Sequence, residues 1–225
     1  MLTNCMKTAI MQPTYLPWPG NFSLIKNVKN FVFLDDVQFE RRSWQCRNYL
    51  VIQNEAKILS VPTKNKGNFD ENINNIKIDY ETNWKKKHLL TIEQSYKKYK
   101  YFNEVFGIYE KHILSHYEMI SDLNINLIKE ISTYLKLDVN FLISSKFNIN
   151  KKKDEKIVEI LKKIPSNHYI SPPGSKNYIE ASDRFKDEDI KVTYQKYKSY
   201  DSLNEKNLSI LHFLFKFGNS FVNDI

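Results

Sequence analysis

The pattern of apolar and polar positions near the start of the chain predicts a βαβ unit. A short apolar run at 8–11 is followed by a proline-containing stretch and then by apolar residues at helical spacing over 22–28. A second apolar run at 31–34 ends at Asp35-Asp36. This order is typical of a strand, a tight loop, a helix and a second strand. We therefore expect residues 7–36 to form one βαβ unit with a parallel crossover.

The middle of the chain changes from an alternating to a helical pattern. Two apolar runs around Gln53–Ala56 predict a β-hairpin, and helical periodicity follows from Trp84 onward. The predicted strands are 49–52, 57–61 and 73–78, and the predicted helices are 84–99, 102–116 and 120–135. This part of the chain therefore predicts a β-hairpin excursion and a mostly helical insert around 81–138.

The last third returns to strands and helices in alternation. Strands are predicted at 141–143, 168–170 and 190–194, and helices at 151–163 and 208–217, with Gly218 as the C-cap of the last helix. Neither a repeat nor a clear linker interrupts the pattern. We expect one α/β domain over residues 1–225, with a Rossmann-like parallel sheet and flanking helices.

Composition excludes several classes of protein. The 225 residues are enough for a substantial core, and no run reaches the ~20 apolar residues of a membrane span. The N-terminus lacks a signal-peptide pattern, so we expect a cytoplasmic protein. Cys5 and Cys46 do not suggest a disulfide framework. His112 and His116 are four residues apart without a zinc motif, so no metal site is expected.

The arginines are concentrated in one loop, although the net charge of +8 comes mostly from lysine. Lysine spread over the surface is typical of solvated faces, but three of the four arginines lie within seven residues. Guanidinium groups bind phosphate and tryptophan stacks on bases or sugars. The loop therefore predicts substrate binding by Arg41, Arg42, Trp44, Arg47 and Asn48. The alternative is an exposed loop with salt bridges.

The loop from Gln12 to Asn21 is the first candidate site. It contains three of the seven prolines and follows a predicted strand. Such a stiff loop loses little entropy when it orders, and ligands of open α/β sheets bind at the carboxyl ends of the strands. The substrate-binding candidates in this loop are Gln12, Thr14, Tyr15 and Trp18.

A second strand-to-helix turn follows the strand at 168–170. Its serines, glycine and lysine are residue types that bind phosphate or carboxylate at the start of a helix. The candidates are Ser171, Gly174, Ser175, Lys176 and Tyr178. Ordinary N-capping by Ser171 or Ser175 uses the same residue types, so both interpretations stay open.

Three residues are candidates for proton transfer. Asp35 and Asp36 follow a buried strand at the expected ligand edge of the sheet. His88 lies one helical turn after Trp84, and histidine is a common general base near neutral pH. The alternatives are a turn or N-cap for the aspartates and a packing role for the histidine.

Several motifs together resemble the WbqC-like family. They are Gln12-Pro-Thr-Tyr-Leu-Pro-Trp-Pro-Gly-Asn-Phe22, Phe33-Leu-Asp-Asp-Val-Gln-Phe39, Arg42-Ser-Trp-Gln-Cys-Arg-Asn48, Trp84 with His88, Ser171-Pro-Pro-Gly-Ser-Lys-Asn-Tyr178 and Leu208-Ser-Ile-Leu211. The resemblance implies a bacterial protein of O-antigen, lipopolysaccharide or other surface-glycan gene clusters. It also implies modification of an amino sugar, through an amide formed at the amine of a nucleotide-linked sugar. Asn21 departs from the bulkier aromatic residue expected there.

The same loop has a more distant resemblance to nucleotidylyltransferases. Trp18-Pro-Gly-Asn21 stands where those enzymes carry His-x-Gly-His, and both histidines are absent here. Their absence argues against nucleotidyl transfer. The resemblance to the WbqC-like family implies instead an acyl- or aminoacyltransferase acting on a nucleotide-linked amino sugar. Its donor is open among a coenzyme A thioester, an aminoacyl-tRNA and an aminoacyl-adenylate, so nucleic acid is a partner only if the donor is a tRNA. The alternatives are a non-catalytic protein that binds nucleotide-sugar or glycan, and RNA binding by a basic patch.

Overall fold

A computed structural model describes residues 6–64, 70–164, 166–196 and 208–225. The strands are β1 (Lys7–Met11), β2 (Asn30–Phe33), β3 (Arg47–Ile52), β4 (Glu55–Ser60), β5 (Thr63–Lys64), β6 (Lys77–Ile78), β7 (Asn140–Ile143), β8 (His168–Ser171) and β9 (Lys191–Tyr194). The helices are α1 (Pro19–Lys26), α2 (Trp84–Tyr96), α3 (Phe102–Leu114), α4 (Ile120–Tyr134), α5 (Lys153–Lys163), α6 (Lys176–Glu180), α7 (Arg184–Asp187) and α8 (Ile210–Phe217).

The chain divides into two compact units. Within the described residues, the first comprises 6–12, 23–37, 138–164 and 166–196, and is called the sheet unit below. The second comprises 13–22, 38–64, 70–137 and 208–225, and is called the helical unit. Most of the predicted helical insert belongs to the helical unit.

The sheet unit is built on five parallel strands in the order β7-β2-β1-β8-β9. In chain order this arrangement is third, second, first, fourth and fifth, the order of Rossmann-like folds. Tyr169 and the apolar face of α5 join buried side chains of β1 and β2 in one core. The predicted Rossmann-like α/β class and the parallel β1–β2 pairing are confirmed.

The helical unit contains the predicted hairpin and three long helices. Strands β3 and β4 pair antiparallel, with Ile52 opposite Glu55. Both turn residues, Gln53 and Asn54, have positive φ, as a two-residue hairpin turn requires. One prediction is wrong in part: the expected strand at 73–78 is a 3₁₀ turn over Ile73–Asn75, and only β6 pairs, with β5.

Helical periodicity predicts that Trp84, His88, Leu89, Ile92 and Tyr96 lie along one side of α2. Four of these five residues are buried, and Leu89 is half-buried. Gly218 ends α8 with a φ of 61°, which confirms its role as the C-cap.

Neither a membrane span nor a disulfide is found in the described residues. No helix within those ranges has both the length and the apolar composition that a membrane crossing requires. Cys46 is buried and forms no disulfide with any described residue, and Cys5 lies outside the described ranges.

Candidate functional site

A group of carboxylates and hydroxyls lies where β2 and β7 end. Residues 33 and 143 are partners in the parallel pairing of these strands, so the segments that follow both strands start side by side. Asp35 and Asp36 come from the first segment, and Ser144 and Ser145 come from the second. With Lys156 of α5 these residues form what is called the carboxylate cluster below. All five belong to the sheet unit.

Asp35 is buried and held by serine groups. Its Oδ1 accepts hydrogen bonds from the Ser144 hydroxyl at 3.0 Å and from the Ser145 backbone N–H at 2.9 Å. Its Oδ2 accepts from the Ser145 hydroxyl at 2.7 Å. Both carboxylate oxygens are therefore engaged, which fixes the Asp35 side chain as an acceptor.

Asp36 forms an ion pair with a buried lysine. The Lys156 Nζ lies 2.6 Å from Asp36 Oδ2, and the two side chains are 5% and 15% exposed. The same ammonium donates to the backbone carbonyls of Asp36 at 3.2 Å and Ile149 at 3.5 Å. The Ser144 hydroxyl also contacts Asp36 Oδ1. A buried ammonium needs this many acceptors, because removing its hydration is costly.

Sequence reasoning missed Lys156. It lies in a helix that also contains exposed lysines, so its charge suggested a solvated face. One signal was available: Lys156 precedes Ile160 by four residues, so both side chains lie on one face of α5, and both are buried.

The predicted turn after β8 contains two hydroxyls that are bonded to each other. The side chains of Ser171 and Ser175 are in hydrogen-bond contact, and Ser175 also donates to the carbonyl of Pro172 at 2.7 Å. Neither the 3₁₀ turn at Pro173–Ser175 nor α6 receives a side-chain cap, so the expected N-capping is not formed.

The other residues predicted near the carboxyl edge of the sheet differ in exposure. Gln12 directly follows β1 and is half-buried, whereas Gly174, Lys176 and Tyr178 are exposed. Lys176 lies 3.8 Å from Glu180, in an exposed pair on α6. The prediction that this turn binds an anion remains a prediction.

In the helical unit, Tyr15, His88 and Tyr109 form a second buried polar group, called the phenol–imidazole network below. The hydroxyls of Tyr15 and Tyr109 lie 2.8 Å apart. Each lies 3.2 Å from Nδ1 of His88. The other ring nitrogen, Nε2, lies 3.0 Å from the carbonyl oxygen of Ser60.

These partners define the protonation of His88. A carbonyl oxygen only accepts, so Nε2 carries the proton and Nδ1 accepts from a tyrosine hydroxyl. Burial lowers the pKa of His88 to about 4. Burial also raises the pKa of Tyr15 and of Tyr109. The network is therefore neutral at pH 7, and both nitrogens of His88 have partners inside the protein.

The loop from Gln12 to Asn21 is held in place by hydrogen bonds from two asparagine side chains. Asn48 Nδ2 donates to the carbonyls of Tyr15 at 3.2 Å and Leu16 at 2.7 Å. Asn124 Nδ2 donates to the carbonyl of Pro13 at 3.2 Å. Leu16 has a φ of 44°, an uncommon backbone conformation for a non-glycine residue. Asn48, predicted to bind substrate, thus uses its amide hydrogens to hold this strained turn.

Trp18 and Gly20 pack against each other at the start of α1. A Cβ built on Gly20 would lie 2.6 Å from the indole of Trp18, so the ring packs directly on the glycine. The backbone N–H of Asn21 donates to the carbonyl of Trp18 at 3.0 Å. Only glycine leaves room for this position of the indole. Thr14 and Trp18 are half-buried and retain partial access to solvent.

The predicted arginine loop is exposed and includes an exposed tryptophan. Arg41 and Arg42 are exposed, and Trp44 is 46% exposed while its ring lies 5.7 Å from that of Tyr49. Arg47 is half-buried, and its Nε has no hydrogen-bond partner within the described ranges.

The arginines differ in their ionic partners. Among the described residues, neither Arg42 nor Arg47 pairs with a carboxylate, whereas Arg184 lies 3.1 Å from Asp154. Within the described ranges, Arg42 and Arg47 thus do not form the salt bridges of the alternative interpretation, and substrate binding by this loop remains a prediction.

The predicted site residues fall into two groups by unit. Gln12, Asp35, Asp36, Ser171, Gly174, Ser175, Lys176 and Tyr178 belong to the sheet unit. Thr14, Tyr15, Trp18, Arg41, Arg42, Trp44, Arg47, Asn48 and His88 belong to the helical unit. Asp35 and Asp36 share one cluster, and Tyr15 and His88 share another. No metal-binding group of three or more His, Cys, Asp or Glu residues occurs in the described part of the chain.

Comparisons with known proteins bear on the family of the chain. The chain is 30% identical over 220 residues to the protein named "Uncharacterized protein Rv1507c" of Mycobacterium tuberculosis (strain ATCC 25618 / H37Rv), covering 94% of each chain. No solved structure matches significantly. The model of the WbqC-like protein family matches residues 12–223. The chain therefore belongs to the WbqC-like protein family.

Proposed function

We propose that this protein acts in the biosynthesis of a bacterial surface polysaccharide of the O-antigen type, as an acyl- or aminoacyltransferase. It forms an amide on the amine of a nucleotide-linked amino sugar. Membership of the WbqC-like family supports the link to surface glycans. The observation that carries the reaction is the carboxylate cluster at the carboxyl ends of two parallel strands, where Rossmann-like sheets bind their ligands.

Asp36 is the proposed general base. A neutral amine attacks the acyl carbon through its lone pair, and its nitrogen loses a proton as the C–N bond forms; a carboxylate within reach accepts that proton. As the C–N bond forms, the C–S or C–O bond of the donor breaks, and the proton then passes from Asp36 to the leaving group. Asp36 suits this role better than Asp35, because its side chain is 15% exposed whereas Asp35 is 4% exposed.

Asp35 and Lys156 are the proposed positioning residues. Lys156 stabilises the negative charge of Asp36 from the buried side at 2.6 Å. Asp35 fixes Ser144, whose hydroxyl contacts both carboxylates. Catalysis needs a fixed geometry, which is met when such supporting groups are themselves locked.

Each unit contains residues with phosphate and base chemistry, and each group is proposed by itself as a candidate for binding the nucleotide part. In the helical unit these are the guanidinium groups of Arg41, Arg42 and Arg47, with Trp44 as a stacking surface. In the sheet unit they are Gln12 and the Ser171–Lys176 turn. The donor stays open among a coenzyme A thioester, an aminoacyl-tRNA and an aminoacyl-adenylate.

Mass spectrometry of surface glycan from a deletion strain tests the reaction. We expect one sugar to lose the mass of an acyl or aminoacyl group, and the wild-type gene to restore it. Asp36→Asn should fail to restore it, whereas the matched Asp138→Asn should succeed, because Asp138 is 90% exposed and its ion pair with Lys29 lies at the surface. An unchanged glycan in the deletion strain, or restoration by Asp36→Asn, contradicts the proposal.

One observation favours the alternative, a non-catalytic protein that binds nucleotide-sugar or glycan. Two of the candidate bases, Asp35 and His88, have all their acceptor or ring atoms engaged inside the protein. A variant with Asp35→Asn, Asp36→Asn and His88→Gln separates the two functions. If it folds and leaves the glycan intact, while Arg42→Gln does not, the protein binds its ligand without these groups acting as bases.

A further inference from the structure

We propose that the helical unit carries a separate binding site for a small carboxylate with an apolar body. The site is the cavity of about 530 Å³ between β4 and the start of α2, called the β4–α2 cavity. Its volume lies within the range of small-molecule sites. This inference does not depend on the proposed amide-forming reaction, and nothing in that reaction requires this cavity.

The wall on the β4 side is apolar. It is formed by Ile58, Leu59 and Pro62. Ile58 is 42% exposed, so part of this apolar wall is in contact with water. An occupant with an apolar body would remove this surface from water, and burial of apolar area is the main source of affinity in such cavities.

The wall on the α2 side is positive. Lys87 lines the cavity, and no carboxylate is among the lining residues. Lys87 makes no ion pair with any described residue, whereas the neighbouring Lys85 donates to the carbonyls of Leu114 and Ser115. His88 lines the cavity as a neutral ring, since burial lowers its pKa to about 4. The charge facing the cavity therefore comes from Lys87.

The first turn of α2 adds to the positive potential at the cavity. The helix has 13 residues, no acidic residue in its first turn, and no side-chain hydrogen bond from its N-cap, Asn83. Asn83 itself lines the cavity. The unsatisfied backbone N–H groups of a helix start attract an anion.

Trp84 supplies an independent indication of a ligand. It lines the cavity, is 5% exposed, and its buried indole Nε1 has no hydrogen-bond acceptor within the described residues. A buried N–H without an acceptor is unfavourable. A carboxylate oxygen accepts hydrogen bonds only, so it complements both the indole N–H and the helix start. One lysine and no arginine fit a monoanion better than a phosphate, which is typically held by a guanidinium fork.

Hexanoate, hexanol and hexylamine are matched probes for this site, because they share a chain length and differ in charge. We expect hexanoate to bind more tightly than hexanol by about fivefold, the effect of one partly exposed ion pair, and hexylamine to bind most weakly. Binding is measured by NMR titration on the full chain labelled with ¹⁵N, with the indole N–H resonance of Trp84 as the reporter. The Trp84→Phe variant identifies that resonance.

Two lysine variants localise the site. Lys87→Gln should weaken hexanoate binding by about fivefold, while Lys86→Gln, a neighbouring exposed lysine that does not line the cavity, should leave it unchanged. The proposal is overturned if hexanoate does not bind at about 20 mM, a concentration well above the millimolar affinities of weak ligands. It is also overturned if hexanol binds as well as hexanoate, or if the two lysine variants behave alike.

Discussion

The carboxylate cluster and the phenol–imidazole network both bury polar side chains, but only the cluster buries formal charge. In the sheet unit, an ammonium and a carboxylate lie 2.6 Å apart with little exposure. In the helical unit, two phenols and an imidazole share their hydrogen bonds around one neutral histidine. The two groups thus bury polar atoms in different ways: the cluster in the sheet unit pairs opposite charges, and the network in the helical unit joins neutral groups by hydrogen bonds.

The difference separates a candidate for chemistry from a candidate for stability. The network saturates every nitrogen of His88, so a bound substrate would have to break an internal hydrogen bond to use it as a base. The cluster retains an ionised carboxylate, Asp36, that is partly exposed. Burying charged groups at the ligand edge of a sheet costs free energy of folding. Their presence there is therefore more readily explained by function than by stability.

Breaking the buried ion pair has the largest expected effect. Lys156→Met should lower the free energy of unfolding by about 3–5 kcal/mol, because it leaves the Asp36 carboxylate without its counter-charge. Urea unfolding measures the change. The double variant Lys156→Met/Asp36→Asn should recover part of the loss, since neither charge then remains buried.

The exposed ion pairs of Lys162 provide the control for this prediction. Lys162 lies 3.0 Å from Glu188 and 3.3 Å from Glu159, with about two-fifths of its side chain exposed. Lys162→Met should cost less than about 1 kcal/mol. Equal effects of Lys156→Met and Lys162→Met would contradict the special status of the cluster.

The pH dependence of stability tests the neutral state of His88. Its pKa is about 4 in the folded chain and 6.5 in an unfolded chain, so only the unfolded chain takes up a proton between these values. Stability should therefore be unaffected by His88 above pH 6.5 and should fall as the pH drops towards 4, by about 3 kcal/mol in total.

His88→Gln isolates this contribution. The variant lacks the titrating ring, so its stability should change less between pH 6.5 and 4 than that of the parent chain. The contribution of His168, whose pKa is also lowered by burial, is present in both chains and cancels in the comparison. Identical pH slopes for the two chains would show that His88 is not held neutral.

A single hydroxyl of the cluster should matter less than the ion pair. Ser145→Ala removes the donor 2.7 Å from Asp35 Oδ2, and the expected cost is about 2 kcal/mol because the acceptor is a buried carboxylate. Ser145→Thr keeps the hydroxyl and should restore most of the stability. A loss in both variants, measured by urea unfolding, would assign the effect to packing instead.

The pattern of apolar positions predicted most strands and helices of both units. Helices α2 to α4 follow from periodicity, because one face of each helix is buried. The sheet strands follow from short apolar runs, although all four residues of β2 and of β8 are buried and none of those of β7 and β9 is. The predicted strand at 73–78 is wrong in part, because only the buried Ile76 and Ile78 have the two-residue spacing of a strand, while Ile73 lies three residues earlier in a 3₁₀ turn and only β6 pairs.

The polar partners could not be predicted in the same way. Lys156 meets Asp36 across 120 positions of sequence, and His88 meets Tyr15 across 73. Periodicity reports the burial of apolar faces, so it identified His88 as buried but gave no information about what bonds to its ring. The two aspartates were predicted from their place after β2, a rule of sheet topology that needs no knowledge of partners.

Removing one tyrosine hydroxyl from the phenol–imidazole network should have the smallest effect on the free energy of unfolding. Tyr109→Phe leaves Tyr15 free to donate to His88 Nδ1, so every N–H and O–H of the network keeps an acceptor and only a lone pair of the Tyr15 oxygen loses its partner. The expected cost is about 1 kcal/mol, near that of one neutral hydrogen bond. Urea unfolding should show this smaller loss beside that of Ser145→Ala. A cost above that of Ser145→Ala would mean that the neutral network, and not the carboxylate, is the more sensitive to losing a hydroxyl.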